Sequence, residues 1–437
     1  RGEDAGATGA LTAIVLAIGL TLAAPAFAQP QDPGPKTQDP VETVTFDQAI
    51  ARALEKNPTV AIAATNILRS EALLEQARAA VRPRVSGNVT NTTLDAGREF
   101  SGQTTQPQNQ SIVGLAASMP VLAAAQWAAR TQVMDQIEIA RLSVTDTRRQ
   151  IAVATASAYL AVIAQKRQVE VSRSALETAR QQLGYDTRRR EGGVGSRLNE
   201  LRSRQIVSAT QAVLEVLLFN VVRAQEALGV LLADNGPVDV NGEPAFEIPQ
   251  PVAETEWLPN RPDIKVFIAQ QLANERIVKD SRLDWWPQAA VSFGPQLLTP
   301  AGIFQPSRTW ALSVQLSQPI YEGGQRRGLR HQREAVFQAS TLSLEQAQID
   351  ARSEVRIARA EVVARERALV SARAAADDAN EVLKITIVAF DAGATTNIEV
   401  VDAQRSARDL ELAVVQSEDA VRQARLELLV ALGMFPK

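Results

Sequence analysis

The sequence predicts a mainly α-helical protein with a small β part, and three observations support this. Two stretches, 126–190 and 325–390, are rich in Ala, Glu, Gln and Arg and place apolar residues at helical spacing over roughly 100 Å of helix. Four short runs alternate apolar and polar residues as strands do. These runs are 85–94, 111–119, 289–298 and 309–318. The same elements occur twice in the same order, which predicts two copies of one structural unit.

The duplication sets the predicted domain boundaries. Pro58 and Pro262, which begin similar helical segments, lie 204 residues apart, and so do Pro83 and Pro287. Gly193 of one copy matches Gly393 of the other, and the segment 227–233 resembles 431–437. We therefore expect a first repeat at 45–232, a Pro- and Gly-rich connector at 233–260 and a second repeat at 261–437. In each repeat, a helix, two strands, a long helix and a returning helix follow in order.

The first residues have the pattern of an export signal. An apolar core precedes Ala26-Phe27-Ala28, a small-x-small cleavage pattern, so we expect a signal peptide at 1–28 and a flexible, Pro-rich lead-in at 29–44. An uncleaved membrane anchor is the alternative. No later run of about 18 apolar residues was found, so no helix of the mature chain is expected to span a membrane.

Composition excludes several function classes. The chain has no Cys, so disulfides and thiolate metal sites are absent, and its only histidine is His331, so His-based triads and multi-His metal sites are absent too. A net charge of −3 argues against a nucleic-acid partner. Aromatic residues make up 4% of the chain, which favours helices packed through small residues. We expect no enzyme, no metal and no cofactor.

The strand 309–318 has one face that needs an apolar cover. This face carries Trp310, Leu312, Val314 and Leu316. Four strands per chain leave two open edges, and the smallest useful closed barrel has about eight strands. Several chains are therefore expected to pool their strands, with the apolar face toward outer-membrane lipid.

Two tryptophans support a membrane setting for these strands. Trp285 and Trp286 lie beside a strand end, where an interfacial aromatic girdle is expected. The alternative is a soluble β-sandwich edge packed on helices.

These features together resemble the TolC family of outer-membrane efflux and secretion ducts over residues 45–437. The resemblance rests on the duplication, on "QPIYEGGQRRGLR" after the last strand, on the "NP" and "RP" helix starts, and on "FDAGATTNIEVVDAQ". It implies a homotrimer with a 12-stranded outer-membrane β-barrel continuous with a long periplasmic α-helical barrel. It also implies partners: a periplasmic adaptor (membrane fusion protein) and an inner-membrane pump of RND, ABC or MFS type. The implied function is a passive exit duct for efflux or type I secretion in a Gram-negative bacterium.

The resemblance also implies a periplasmic gate at Glu399 and Asp402, which lie on one face of the returning helix. Glu399 has a second interpretation, as the last residue of a capping box that begins at Thr396. For Asp402 the alternative is a solvated helix face. An Arg, a Tyr and an Asp tie the helices shut in similar ducts, but Thr395, Phe390 and Asn199 occupy the matching positions here. The usual latch is therefore absent.

Adaptor docking falls, by the same resemblance, on the two hairpin tips. The residues concerned are Gly193, Gly195, Ser196, Gly393, Thr395 and Thr396. Each of them can equally be explained as a cap or a turn residue, since Gly ends helices in the left-handed conformation and Ser or Thr begins them. A non-conducting helical scaffold or adaptor of the cell envelope is the alternative function, but it does not need alternating strands.

Overall fold

The computed structural model describes residues 42–304 and 306–436. The expected signal peptide at 1–28 and its cleavage site lie outside these residues, as does most of the lead-in. Eight helices and eight strands follow one another along the described chain, with short 3-10 segments at Leu258–Asn260 and Ser281–Trp285. They are β1 Glu42–Val44, α1 Phe46–Lys56, α2 Pro58–Ala79, β2 Arg84–Thr93, β3 Arg98–Phe100, β4 Gln103–Gln106, β5 Asn109–Leu122, α3 Ala124–Glu191, α4 Arg197–Leu231, β6 Val238–Val240, α5 Glu254–Trp257, α6 Pro262–Asp280, β7 Gln288–Thr299, β8 Arg308–Ser317, α7 Gln325–Asp391 and α8 Asn397–Ala431.

The two long helices define the architecture. α3 has 68 residues and α7 has 67, so each is about 100 Å long at 1.5 Å per residue. Each one folds back on a 35-residue partner, α4 or α8, to form an antiparallel hairpin. The shorter α6 packs between α3 and α7 and joins the two repeats.

The order of a helix, two sheet strands, a long helix and a returning helix occurs twice in the described chain, but one predicted register is wrong. α4 and α8 begin and end 200 residues apart, and Ala233 and Gly433 both have positive φ just after these helices. Segment 227–233 therefore corresponds to 427–433 and not to 431–437. The letters "ALG" occur at 227–229 and at 431–433, one helical turn away from equivalent positions. The offset between the copies changes from 204 to 200 residues because the loop between β2 and β5 is longer than the loop between β7 and β8.

The core lies where the hairpins meet the connector. Phe46, Tyr159, Phe246 and Phe435 pack together there, and the hydroxyl of Tyr159 donates to the carbonyl of Asn241 at 2.7 Å. Burial raises the pKa of this hydroxyl, although the Asn241 bond opposes the shift. A buried aromatic residue with a satisfied hydroxyl fixes the connector on α3.

The lead-in and connector are more ordered than expected at their ends. β1 pairs in parallel with β6, with Val44 opposite Val240. Val44, Val238 and Val240 are buried, so the predicted flexible lead-in at 29–44 is wrong for its last three residues. The buried valines provide the reason: two short strands become stable once a core covers them.

Four strands form one antiparallel sheet in the order β2-β5-β7-β8, and they match the four predicted runs. The polar loop between the first two holds an unpredicted hairpin, β3–β4. Residues directly opposite one another share a face, so the register defines one apolar face across the sheet. Its exposed members are Val85, Val89, Val113, Leu115, Met119, Phe293, Leu297, Trp310, Leu312, Val314 and Leu316. The other face carries mainly Ser, Thr, Asn, Gln, Ala and Gly.

One described helix, α4, is long and apolar enough to cross a membrane by length and composition, and 11% of its apolar window is buried. The sequence predicts no membrane-spanning helix in this part of the chain. α4 packs along α3 as the returning arm of a hairpin, so its apolar window belongs to a helix that already has a partner on one side.

Candidate functional site: the paired hairpin tips

Both hairpins turn at a glycine in the left-handed conformation. Gly193 has a φ of 74° and Gly393 a φ of 75°, the left-handed conformation that ends a helix at low cost in glycine. At the first tip, the N–H groups of Val194 and Gly195 both donate to the carbonyl of Arg189. A Cβ on Gly195 would lie 2.6 Å from the backbone nitrogen of Arg190, so only glycine fits. The predicted helix ends at both tips are confirmed.

The two returning helices begin differently. The Ser196 hydroxyl accepts from the N–H of Leu198 at 3.1 Å, as expected for a capping residue. Thr396 makes no side-chain capping bond, so the predicted capping box with Glu399 is wrong. The hydroxyl of Thr395 instead donates to the carbonyl of Thr386 at 3.5 Å, and Asn397 points into the protein. Glu399 is exposed and has no capping role.

A buried carboxylate connects the two hairpins near their tips. Asp186 of α3 is 3% exposed and accepts three hydrogen bonds on Oδ2. The donors are the Ser203 hydroxyl of α4 at 2.5 Å, the Asn397 amide of α8 at 3.0 Å and the Gln182 amide at 3.3 Å. No described cation lies within ion-pair distance of Asp186, so neutral groups alone stabilise this acceptor. The contact holds the start of α8 against both helices of the first hairpin.

An aromatic contact supports the same junction. The rings of Tyr185 and Phe390 lie 6.2 Å apart in an edge arrangement, and the Arg189 guanidinium lies 5.2 Å from the Phe390 ring. A hydrogen bond with Asp391, aided by burial, raises the pKa of the Tyr185 hydroxyl, and Arg189 opposes this shift. Phe390 therefore joins the second hairpin to α3 through contacts with Tyr185 and Arg189.

Sequence reasoning missed Asp186, although a signal was present. Ser172, Leu176 and Ala179 form the buried stripe of α3, and Asp186 follows two turns later on that stripe. A carboxylate on the buried face of a helix needs partners.

Asp402 lines a cleft of about 420 Å³ between the hairpins. All four long helices contribute to the cleft, including Thr178 of α3, Arg202 of α4, Leu383 of α7 and Arg405 of α8. Glu399 lies outside the cleft lining. Both carboxylates are exposed, and neither has an ion-pair partner among the described residues. Within the same residues, no group of three or more His, Asp or Glu side chains could hold a metal ion.

Known proteins resemble this chain along most of its length. The family model described as "Outer membrane efflux protein" matches residues 49–234 and 255–434. Outer membrane protein OprJ of Pseudomonas aeruginosa is 25% identical over 285 residues, which are 63% of this chain. The chain spans 60% of the length of that relative.

Solved structures agree on the fold. The CmeC outer membrane channel of Campylobacter jejuni matches with a TM-score of 0.77 and 15% identity, over 89% of this chain and 85% of CmeC. The open state of the MtrE outer membrane channel of Neisseria gonorrhoeae matches with a TM-score of 0.76 and 18% identity, over 89% of this chain and 88% of MtrE. Since the family match covers both repeats, the chain belongs to the outer membrane efflux protein family.

Proposed function

We propose that this chain is one subunit of a homotrimeric duct in the outer membrane of a Gram-negative bacterium. The duct passively conducts substrates from a periplasmic adaptor and an inner-membrane pump to the outside, for efflux or type I secretion. The pump selects the cargo, and the chain itself does no covalent chemistry. The repeats at 45–232 and 261–437, joined by the connector, are its two structural units.

The open four-stranded sheet is the observation that carries this proposal. β2 and β8 are its edges, and each has one side without a partner strand in the described chain. Trp310 is 70% exposed and Val314 is 71% exposed, although both belong to the apolar face. Unpaired edges and an uncovered apolar face are both unfavourable in water. Three copies joined edge to edge give twelve strands, remove the edges and place the apolar face in lipid.

Exposed apolar stripes on the long helices support the same assembly. Val213, Val216, Phe219 and Val222 recur every three residues along α4 and are exposed. Ile357 and Val370 are exposed on α7 in the same way. Neighbouring subunits can cover such stripes, and the polar faces then line a water-filled tunnel.

The gate is proposed at Glu399 and Asp402 of α8. Three copies of each would face one another around the axis, where like charges repel and cations are attracted. Their exposure and their lack of ion-pair partners in the described chain support this role. The contacts of Asp186 with Ser203 and Asn397 would fix the start of α8, and therefore the carboxylates, relative to the first hairpin.

The adaptor is proposed to dock on the tips. Gly193, Gly195, Ser196, Gly393, Thr395 and Thr396 form the two turns. Val194, between two of these residues, is 73% exposed and supplies an apolar contact for a helical partner.

Reconstitution of the purified protein in a planar bilayer tests the duct. We expect discrete channel currents and a trimer in detergent. A non-conducting envelope scaffold is the alternative, and a monomer in detergent that gives no channel currents would exclude the duct.

A further inference from the structure

The end of the sheet nearest the long helices carries exposed aromatic and basic side chains that the proposed duct does not explain. β7 begins there after the 3-10 segment Ser281–Trp285, and β8 leaves there toward α7. We call residues 281–287 and 318–334 the junction rim. Trp285 is 54% exposed and Trp286 is 51% exposed on this rim, and Tyr321 is exposed beside them.

Several contacts hold the rim together as one surface. The Arg326 guanidinium lies 5.1 Å from the Trp285 ring, and the Gln318 amide donates to the Trp285 carbonyl at 2.9 Å. Further along α7, Arg333 donates to the Ser281 hydroxyl at 2.9 Å. The 3-10 segment and the first turns of α7 are therefore packed against each other.

The rim has an excess of positive charge, although the whole chain is acidic. It contains five arginines and three carboxylates, and each carboxylate already has an arginine partner. The pairs are Asp284–Arg333 at 2.6 Å, Glu322–Arg326 at 2.8 Å and Glu334–Arg330 at 2.9 Å.

Arg282 and Arg327 remain, both exposed and without a carboxylate within 4.0 Å among the described residues. Arg327 lies in the first turn of α7, and that turn contains no acidic residue. Positive charge at a helix N-terminus opposes the helix dipole, so Arg327 is unfavourable for α7 on its own. Arg282 follows the C-terminus of α6, where a positive charge suits the helix dipole, but no carboxylate pairs with it among the described residues. Both side chains are available for an external anion.

We propose that Arg282 and Arg327 each bind the phosphate group of an anionic glycerophospholipid in the leaflet next to the long helices. The rim borders the apolar sheet face, so it lies at headgroup level if the sheet spans the membrane; the inference rests on the proposed function in this respect. Arginine matches phosphate geometry through paired N–H groups, and exposed tryptophans favour the same interface. Charge complementarity selects an anionic headgroup over a zwitterionic one.

Native mass spectrometry of the full-chain complex tests the proposal. The complex is titrated with phosphatidylglycerol or with phosphatidylcholine, and bound lipids are counted. We expect preference for phosphatidylglycerol in the wild type. In the double variant Arg282→Gln/Arg327→Gln the preference should fall by about fivefold per arginine, or about 25-fold in total. The matched control is Arg98→Gln/Arg308→Gln, which removes two exposed arginines, one in the β3–β4 hairpin and one at the start of β8, that have no ion-pair partner among the described residues.

Three results would overturn the lipid site. They are an unchanged preference in the double variant, an equal loss in the control, and displacement of the lipid by equimolar inorganic phosphate, which would indicate a site for free anions. Bilayer currents are recorded on the same preparations. A wild-type chain that forms no channel contradicts the duct and the lipid site together, whereas channels without lipid preference contradict the lipid site alone.

Discussion

The two hairpin tips share one backbone and differ in chemistry. At the first tip, Arg190 of α3 pairs with Glu200 of α4 at 2.9 Å, and Glu200 is buried. The equivalent residues 200 positions later are Phe390 and Val400, and both are buried. An ion pair in one repeat therefore corresponds to apolar residues in the other.

The charges on the returning helices differ as well. Asn199 and Arg202 of α4 correspond to Glu399 and Asp402 of α8. The second hairpin thus presents two carboxylates where the first presents an amide and a cation. The two hairpins therefore share the same turn but carry different charges, and only the second has the two acidic residues that we propose as the gate.

Removal of the contact between the hairpins should have the largest effect. In Asp186→Ala, the buried Ser203 hydroxyl and Asn397 amide lose their acceptor, at about 1–3 kcal/mol for each unsatisfied donor. We expect faster hydrogen exchange at 197–203 and 397–403, because the apolar clusters that stabilise the rest of the chain lie elsewhere. Asp378→Ala, which removes an exposed carboxylate of α7, is the control. Equal exchange in both variants would contradict the role of Asp186.

Replacing the ion pair of the first tip by the apolar residues of the second should have an intermediate effect on stability. Glu200→Val alone removes the partner of Arg190 and Arg204 and should destabilise the tip. The cost should lie below the roughly 3–5 kcal/mol of a fully buried pair, because the Arg190 side chain is 41% exposed and water screens its charge. Adding Arg190→Phe should recover most of this loss, since apolar residues often replace a buried ion pair at little cost. Hydrogen exchange at residues 190–200 measures both the loss of stability in Glu200→Val and its recovery in the double variant. A double variant less stable than Glu200→Val would show that the two tips are not interchangeable.

The smallest effect is a pH dependence of stability where α2 and α6 begin, at the opposite end of the hairpins from the tips. In the first repeat, the neutral Asn57 amide donates to the Leu231 carbonyl at 2.9 Å. In the second, Arg261 donates to the Ala431 carbonyl at 3.0 Å and pairs with Asp263 at 2.6 Å. Burial opposes ionisation of Asp263, but Arg261 outweighs it and lowers the pKa of that carboxyl.

A lowered carboxyl pKa stabilises the folded state above the unfolded value of about 3.9, and this stabilisation disappears as the pH falls through the folded value. Below about pH 4, α6 should therefore lose protection from hydrogen exchange relative to its protection at pH 6. The corresponding contact of α2, made by the neutral Asn57 amide, should not change with pH. Asp263→Asn should remove the difference. A loss of equal size in α2 and α6 would contradict this assignment.

Much of the fold could be predicted from the sequence, because long helices and alternating strands have strong periodicity. The four sheet strands and both long helices lie within a few residues of the predicted ranges. The short elements could not be predicted: β1 and β6 exist because Val44 and Val240 share a core that only the folded chain provides. Asp186, Ser203 and Asn397 come from three helices, and no local pattern relates them. The capping box is also absent, because Thr396 makes no side-chain capping bond, and the adjacent Asn397 directs its side chain toward Asp186.

Single-channel conductance of Glu399→Ala/Asp402→Ala, beside the matched variant Asn199→Ala/Arg202→Ala, tests the central claim most directly. If the acidic face of the second hairpin forms the gate, the first variant should conduct more and lose block by multivalent cations, while the second keeps wild-type block. Unchanged conductance and unchanged block in Glu399→Ala/Asp402→Ala would contradict the account.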